Sequence, residues 1–517
     1  MTWQPEVDEI DRRKRFALEL GGADAVRRQH EQGRLNARER IDKLVDPGSW
    51  LEIGMLTGKA EYDENWQLKK VQPANAIIGT ARIGGRKVSL DIDDFTVRGG
   101  SSDATVSEKW IFAENYALEH RLPLVRLVES AGGSVRLVEQ MGGTKIPGYP
   151  TWLMGAQLGV IPVAAIALGP CVGLGAVKAA YAHFSVMVKG KSQVMAGGPP
   201  VVARAGMGDV DKEALGGSHI QTRSGVIDNE ADSEEHAFEQ VKTFLSFVPD
   251  SVYQMPQRVA PADTPDRREE ELLSIIPRDK RQVYKSRRII DLVFDRGSVF
   301  EIGRNYGRSI VTCLARLDGY PIGVMINDPY HNGGSLNRPS AEKMETFIDI
   351  CDTFHLPIVN MVDQPGTQVG IEAEKMGNVR GSVRVIAAIE QSRVPWCAIV
   401  LRRLYGLAGN AYARIQGINL HYAWPSARWG SIPMAGGIEA AYRAELEALP
   451  IDERKTRLDQ LERKYSHLES PFLTAEKFRV PDIIDPRDTR RMLCHWIEDA
   501  WRVLPEQLGP KGRTMRK

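Results

Sequence analysis

The sequence predicts an α/β protein built from two copies of one domain. Three observations carry that expectation. Matched segments recur in one order at a nearly constant offset. Within each copy, strand-length buried runs alternate with amphipathic helical patterns. A buried strand that breaks at glycine before a helix occurs once per copy, at "GPCVGLGAVKAA" (Gly169–Ala180) and "RRLYGLAGNAY" (Arg402–Tyr412).

The repeat reads as follows. "IDKLVDPGSWLEIG" (Ile41–Gly54) matches "IDLVFDRGSVFEIG" (Ile290–Gly303) at an offset of 249. The offset is then 234. "ARIGG" at Ala81 pairs with "ARLDG" at Ala315, and Gly99-Gly100-Ser101 pairs with Gly333-Gly334-Ser335. Glu108-Lys109 pairs with Glu342-Lys343, and "LPLVRLVESAG" at Leu122 with "LPIVNMVDQPG" at Leu356. It becomes 233 at Pro162 and Pro395 and stays there at Gly173-Leu174 and Gly406-Leu407. This predicts one domain over 1–260, a linker over 261–281 and a second domain over 282–517. The linker stretch is rich in proline and charge, which disfavours burial.

Within the copies, "KVSLDIDDF" and "PIGVMINDP" read as strands. "SEKWIFAENYALEH" and "AEKMETFIDICDTF" carry helical periodicity, and "LPLVRLVES" and "LPIVNMVDQ" are short buried strands. The segment from Ile438 to about Tyr465 is charged and helical, interrupted at Pro450, and reads as a solvated or subunit-packing helix pair.

Composition excludes several classes. The chain has 517 residues, 42% hydrophobic and 26% charged, as in ordinary globular proteins. A formal net charge of +1 gives no bulk field for nucleic acid or membrane surfaces. The apolar runs are far shorter than a membrane span. The N-terminal stretch is polar and contains acids, unlike a signal or transit peptide, so the expected location is cytoplasmic. The five cysteines form no CxxC pair, which suits a reducing compartment and disfavours a cysteine zinc site.

The glycine turns are the candidate chemistry. A strand that ends at glycine before a helix exposes the first backbone amides of that helix. Those amides can stabilise a developing oxyanion. The other reading is a plain tight turn. GxSxG, HExxH and GxxxxGK[ST] motifs are absent. His183 falls in a helical pattern and reads as packing, and His331 as a loop residue. Asp363 and its partner position Glu129 read as turn or support residues before catalytic ones.

Six stretches then carry a family resemblance. They are "QGRLNARERIDKLVDPGSWLEIG" (Gln32–Gly54), "DDFTVRGGS" (Asp93–Ser101), "GPCVGLGA" (Gly169–Ala176), "EALGGSHIQTRSGVID" (Glu213–Asp228), "YAWPSA" (Tyr422–Ala427) and "PDIIDPRDTR" (Pro481–Arg490). Together they resemble the carboxyltransferase (beta) subunits of biotin-dependent acyl-CoA carboxylases, of the propionyl-CoA and methylcrotonyl-CoA type.

The resemblance implies a crotonase-like ββα-superhelix domain in each half. It implies a hexamer whose active sites pair the N-half of one subunit with the C-half of another. The implied reaction moves a carboxyl group from carboxybiotin to the α-carbon of an acyl-CoA, short acyl groups being the default. Biotin would ride on a partner carrier, because this chain shows no Met-Lys-Met attachment motif. A biotin carboxylase and carrier subunit are therefore the implied partners.

Carried over by position, Gly173, Leu174 and Gly175 would hold the thioester enolate oxygen. The amides of Leu407 and Ala408 would hold the biotin ureido oxygen, with Tyr405, Gly406 and Asn410 on the cofactor side. Leucine stands at 174 and 407 where relatives carry glycine, which preserves a backbone donor and adds bulk. Arg98, Gly99, Gly100 and Lys109 would lie along the CoA path, or else form a surface ion pair and an exposed loop. Gln364, Thr367, Gln368 and Asn410 suggest a more polar acyl pocket. Two alternatives accompany this reading: a decarboxylase subunit running the transfer backwards, and a non-catalytic scaffold subunit.

Overall fold

The structure is a computed structural model that describes every residue except 1, 262, 415, 417, 418, 516 and 517. The chain divides into two compact units, the first ending at Gln254 and the second beginning at Met255.

The first unit contains α1 (Ala37–Leu44), β1 (Leu51–Ile53), β2 (Ala76–Ile83), β3 (Arg86–Asp93), α2 (Ser107–His120), β4 (Leu124–Ser130), β5 (Val163–Val172), α3 (Leu174–Ala180), β6 (Phe184–Val188), β7 (Gln193–Met195), β8 (Asn229–Ala231) and α4 (Glu234–Phe247). Its sheet runs β1-β2-β3-β4-β5-β6-β8, with β7 on the far end of β5. The β1–β2 and β2–β3 pairs are antiparallel and the rest are parallel.

The second unit contains α5 (Ser286–Val293), β9 (Phe300–Ile302), β10 (Ile310–Leu317), β11 (Tyr320–Asn327), α6 (Arg338–Thr353), β12 (Ile358–Gln364), α7 (Asn378–Gln391), β13 (Trp396–Tyr405), β14 (Leu420–Ala423), β15 (Arg428–Gly430), β16 (Asp482–Ile483) and α8 (Thr489–Val503). Its order is β9-β10-β11-β12-β13-β14-β16, with β15 on the end of β13. The same two pairs are antiparallel and the same remainder parallel. The expected duplication is thus present strand for strand, and β2–β3–α2 and β10–β11–α6 are the ββα units.

Local chemistry explains the repeated shape. Asp46 accepts from the N–H groups of Gly84 and Gly85 at 2.9 and 2.7 Å, which clamps the β2–β3 turn. Asp295 accepts from the N–H groups of Asp318 and Gly319 at 3.0 and 2.8 Å and clamps β10–β11 in the same way. α1 starts at a capping box, Asn36 with Glu39, that satisfies its first amides. β4 and β12 are buried along nearly their whole length, as parallel strands covered on both faces must be.

The core of the second unit gathers Ile289, Phe294, Val324, Ile399, Trp424 and Trp496. Leu272 joins it, from the stretch read as a linker. The short turn Glu270–Leu273 is therefore held in the second unit by Leu272, despite its two glutamates. The charged segment near the C-terminus forms helices Met434–Ala441, Arg443–Ala448 and Ile451–Tyr465, and Pro450 caps the last. Among the described residues, no helix is long and apolar enough to cross a membrane.

Candidate active site

β5 and β13 each end at a glycine in a conformation open only to glycine. Gly173 has φ 59° and ψ −114°, and Gly406 has φ 65° and ψ −152°. Each glycine N–H turns sideways into the sheet. Gly173 donates to the Met195 carbonyl at 3.1 Å, and Gly406 to the Gly430 carbonyl at 3.2 Å. Helical bonding then begins late. Val177 N–H donates to the Gly173 carbonyl at 3.1 Å, and Gly409 N–H to the Gly406 carbonyl at 3.0 Å. The amides of Leu174, Gly175 and Ala176 therefore precede one ladder, and those of Leu407 and Ala408 precede the other. They sit at the positive end of their turns. The role of Gly173 and Gly406 is the bend itself, since their own amides are engaged.

The side chains at the two turns differ. Leu174 is half-buried against the cluster of Trp110, Tyr149 and Trp152. Trp110 meets Trp152 edge-on at 5.0 Å. A methyl at Gly175 would stand 3.1 Å from the Ser130 β-carbon, tighter than ordinary contact. Leu407 is 42% exposed, whereas Ala408 is fully buried. The Tyr405 ring is buried and its hydroxyl donates to Glu469 at 3.3 Å, so this residue offers the site only its backbone.

A pocket of about 810 Å³ opens beside the second turn, lined by Leu404, Gly406, Leu407, Asn410, His421 and Trp429 among others. That volume lies within the usual range for small-molecule sites. Burial lowers the pKa of His421, so its imidazole is biased toward the neutral form. The polar residues expected to shape an acyl pocket divide. Asn410 lines the pocket. Gln364 is buried and its Oε1 accepts from the Leu336 amide at 3.2 Å. The Thr367 hydroxyl lies 3.5 Å from that of Ser382.

The acids are anchors. Pairing of β4 with β5 shifts register between Val128 and Ser130, and β12 with β13 between Val362 and Gln364. At each shift the extra residues lie on the partner strand: 168–170 of β5 stand opposite Glu129, and 401–403 of β13 opposite Asp363. Glu129 is buried and accepts from Arg34, Arg40 and Gln29. Asp363 is buried and accepts from Arg402, Arg403 and the Tyr284 hydroxyl. A β-carbon at Gly169 would collide with the Glu129 carboxylate, which explains that glycine of the first turn motif.

The Gly-Gly-Ser loops have repeated backbones. Arg98 and Asn332 have φ 56° and 49°, each followed by two glycines of positive φ. The Arg98 guanidinium pairs with Asp103 at 2.8 Å and is over one-third exposed. Lys109 sits elsewhere. It is buried, with its stem beneath Gly54. Desolvation lowers its pKa to about 8. Lys343 repeats this placement beneath Gly303, and desolvation lowers its pKa to about 7. Beside each lysine lies an ion pair, Arg38 with Glu52 at 2.8 Å and Arg287 with Glu301 at 2.6 Å. The sequence reading missed this repeated Arg–Glu–Lys group. Its signal was available, because Arg38 and Glu52 recur at the same offset as the segment around them.

A doubled ββα domain with one glycine-initiated donor turn per copy defines a two-domain crotonase-type chain. Residues 28–512 match the family model described as the carboxyl transferase domain. The propionyl-CoA carboxylase carboxyltransferase subunit of Haloferax mediterranei is 32% identical over 497 residues, 95% of each chain. The methylmalonyl-CoA decarboxylase subunit alpha of Veillonella parvula is 30% identical over 476 residues, 91% of each. The crystal structure of the transcarboxylase 12S hexamer, with methylmalonyl-coenzyme A and methylmalonic acid bound, superposes with a TM-score of 0.87 at 28% identity. That match covers 100% of this chain and 98% of the other. The chain belongs to the carboxyl transferase domain family, and it is an enzyme, a carboxyltransferase subunit.

Proposed function

We propose that this chain transfers a carboxyl group from carboxybiotin, held on a partner's carrier domain, to the α-carbon of a short acyl-CoA. The observation that carries the reading is the pair of donor turns, each with amides ahead of its helical ladder and each set by a glycine of matched conformation. The relatives named above supply the acyl-CoA class.

In this reading the amides of Leu174 and Gly175 face the thioester oxygen and stabilise the charge it gains when the α-proton leaves. The amides of Leu407 and Ala408 face the ureido oxygen of biotin. The residues around the second turn fit such a group. The pocket has room for a small bicycle, apolar walls in Leu404 and Trp429, and polar edges in Asn410 and His421. Bound there, biotin supplies the carboxyl group and a nitrogen able to take the α-proton. Removing one donor from an oxyanion site typically costs about 10²–10³ in rate. Arg98, Gly99 and Gly100 are assigned to the CoA path on the exposure of the Arg98 guanidinium. Lys109 is assigned to support of the segment around Gly54, because its side chain is buried beneath that residue.

The two carboxyltransferase domains are assigned to 1–260 and 282–517, with 261–281 as a joining segment that packs on the second through Leu272. The working form is a homo-hexamer in the cytoplasm, served by a biotin carboxylase and carrier subunit; the hexamer rests on the transcarboxylase core. The test is a reconstituted assay with biotin carboxylase, carrier protein, ATP, bicarbonate and a panel of propionyl-, butyryl- and 3-methylcrotonyl-CoA. The expected result is carboxylation of at least one short acyl-CoA. Transfer only from a dicarboxylic acyl-CoA to biotin would favour the decarboxylase direction that the Veillonella relative's name describes. Inactivity with every acyl-CoA in both directions would overturn the proposed short-acyl substrate class.

A further inference from the structure

Both donor turns are too short to hold their own direction. α3 has seven residues and the turn Leu407–Ala411 has five. Helical segments of this length are unstable on their own, so something outside each turn must fix it. The ladders begin at the glycine end, and the opposite end is where the structure supplies a tie.

In the first unit the tie is Arg126, in β4. Its guanidinium is fully buried and donates to the Tyr181 carbonyl at 2.6 Å and the Lys178 carbonyl at 3.4 Å. Tyr181 is the residue that closes α3. The rest of the guanidinium is saturated by Glu114 at 2.6 and 2.9 Å and by Gln157 at 3.0 Å. Lys178 adds a second anchor, 2.7 Å from Asp91 and 3.2 Å from Asp93.

In the second unit the matched position, 234 residues later, is Asn360 in β12. Its Nδ2 donates to the Tyr412 carbonyl at 2.7 Å. Tyr412 is the residue that closes that turn. The register is also matched, with Arg126 opposite Ala165 of β5 and Asn360 opposite Ala398 of β13. Asn360 is buried, and its Oδ1 has no hydrogen-bond partner among the described residues. An apolar residue would fill a strand interior without that cost. One tie to the end of the turn is what the amide contributes.

We propose that Arg126 and Asn360 are positioning residues. Each is a strand side chain that fixes the closing carbonyl of a donor turn and so sets where the amides at the other end point. The proposal rests on the donor reading given above. Donor geometry must hold to roughly 0.5 Å and 10–20° for full effect, and misplacement of about 1 Å can cost about 100-fold in rate. Neither side chain is placed on substrate. Their loss should therefore act on kcat and spare acyl-CoA binding.

The experiment measures kcat and KM for Asn360→Leu, Asn360→Asp, Arg126→Met and Arg126→Lys, with Ala408→Pro alongside, in the reconstituted full-length enzyme. Light scattering and circular dichroism report assembly and fold. Asn360→Leu is expected to lower kcat by about tenfold or more and leave the acyl-CoA KM within about twofold. Asn360→Asp can donate to the carbonyl only when protonated, so its kcat relative to wild type should rise as pH falls from 8 to 6. Arg126→Lys should retain more kcat than Arg126→Met. Should Arg126→Met fail to fold, with Glu114 left unpaired, Asn360→Leu decides, since it strands no charge. Wild-type kcat in Asn360→Leu, with Ala408→Pro inactive, overturns the positioning role and leaves the donor reading standing. Wild-type kcat in Ala408→Pro overturns both.

Discussion

Lys109 and Lys343 are residues whose chemistry depends on being buried. Lys343 lies in α6 with its ammonium donating to the Ile310 carbonyl at 2.8 Å. Its folded pKa of about 7 lies below the ordinary 10.5, because burial disfavours the charge. The stability it contributes is thus fully present above pH 10.5 and is lost as pH falls toward 7. Across that window the loss is roughly 3–5 kcal/mol. Lys343→Met removes the titrating group, so melting temperature should vary less between pH 7 and 10 than in wild type. Parallel slopes for the two proteins would show that the ammonium is solvated in the folded state. A second residue-scale expectation concerns Gly406. A methyl there would meet the Ser431 carbonyl oxygen at 3.5 Å, an ordinary contact, so any penalty is conformational. Gly406→Ala should destabilise the fold by about 1–3 kcal/mol in urea titrations and abolish turnover. The glycines were legible in the sequence because only glycine interrupts a buried run so abruptly. The buried state of Lys109 was not, because a lysine at a helical position gives the same pattern in water or beneath a hairpin.

At the level of elements, the strands and helices of both copies could be read from periodicity, and their pairing order could not. The bulges of β5 and β13 opposite Glu129 and Asp363 add no residue pattern of their own. They show only where the pairing register shifts. What they accomplish is electrostatic. Asp363 is the counter-ion of two guanidinium groups on adjacent positions of β13, and β13 leads directly into the second donor turn. Arg403 also donates to the Gly333 carbonyl at 2.7 Å, which joins the strand end to the Gly-Gly-Ser loop. Replacing Asp363 with Ala should cost about 3–5 kcal/mol, because Arg402 stays buried without its counter-ion. Urea denaturation of Asp363→Ala against wild type measures this. A difference under 1 kcal/mol would mean that water or a rearranged side chain replaces the carboxylate.

For the whole molecule, the offset pattern was the strongest signal in the sequence. It gave the number of domains and the identity of the two turns. The offset drops from 249 to 234 between Gly54 and Ala81, where the first unit carries a small hairpin, Gly58–Tyr62 with Leu68–Pro73. The extra length is thus spent at the surface of one copy, while the strand order stays fixed. The pocket beside the second turn was not legible, since His421, Trp429 and Asn410 come together from β14, β15 and a turn. Assembly is tested at this scale. Light scattering of the purified chain should give six times the chain mass, and a stable, active monomer would refute the hexamer.

Because the proposed donors belong to the main chain, most mutations cannot delete them. Evolution can rewrite the residues around such a site and leave its central device untouched. The side chains at 174 and 407 are then free to drift and tune fit, while proline is forbidden at the donor positions and replacement is forbidden at the bending glycines. A saturation library over 173–176 and 406–409, selected for turnover, should show that asymmetry: broad tolerance at the two leucines, near-total loss at Gly173 and Gly406, and proline as the one uniformly lethal choice at 174, 175, 407 and 408. Heritable variation would then accumulate in specificity far faster than in mechanism.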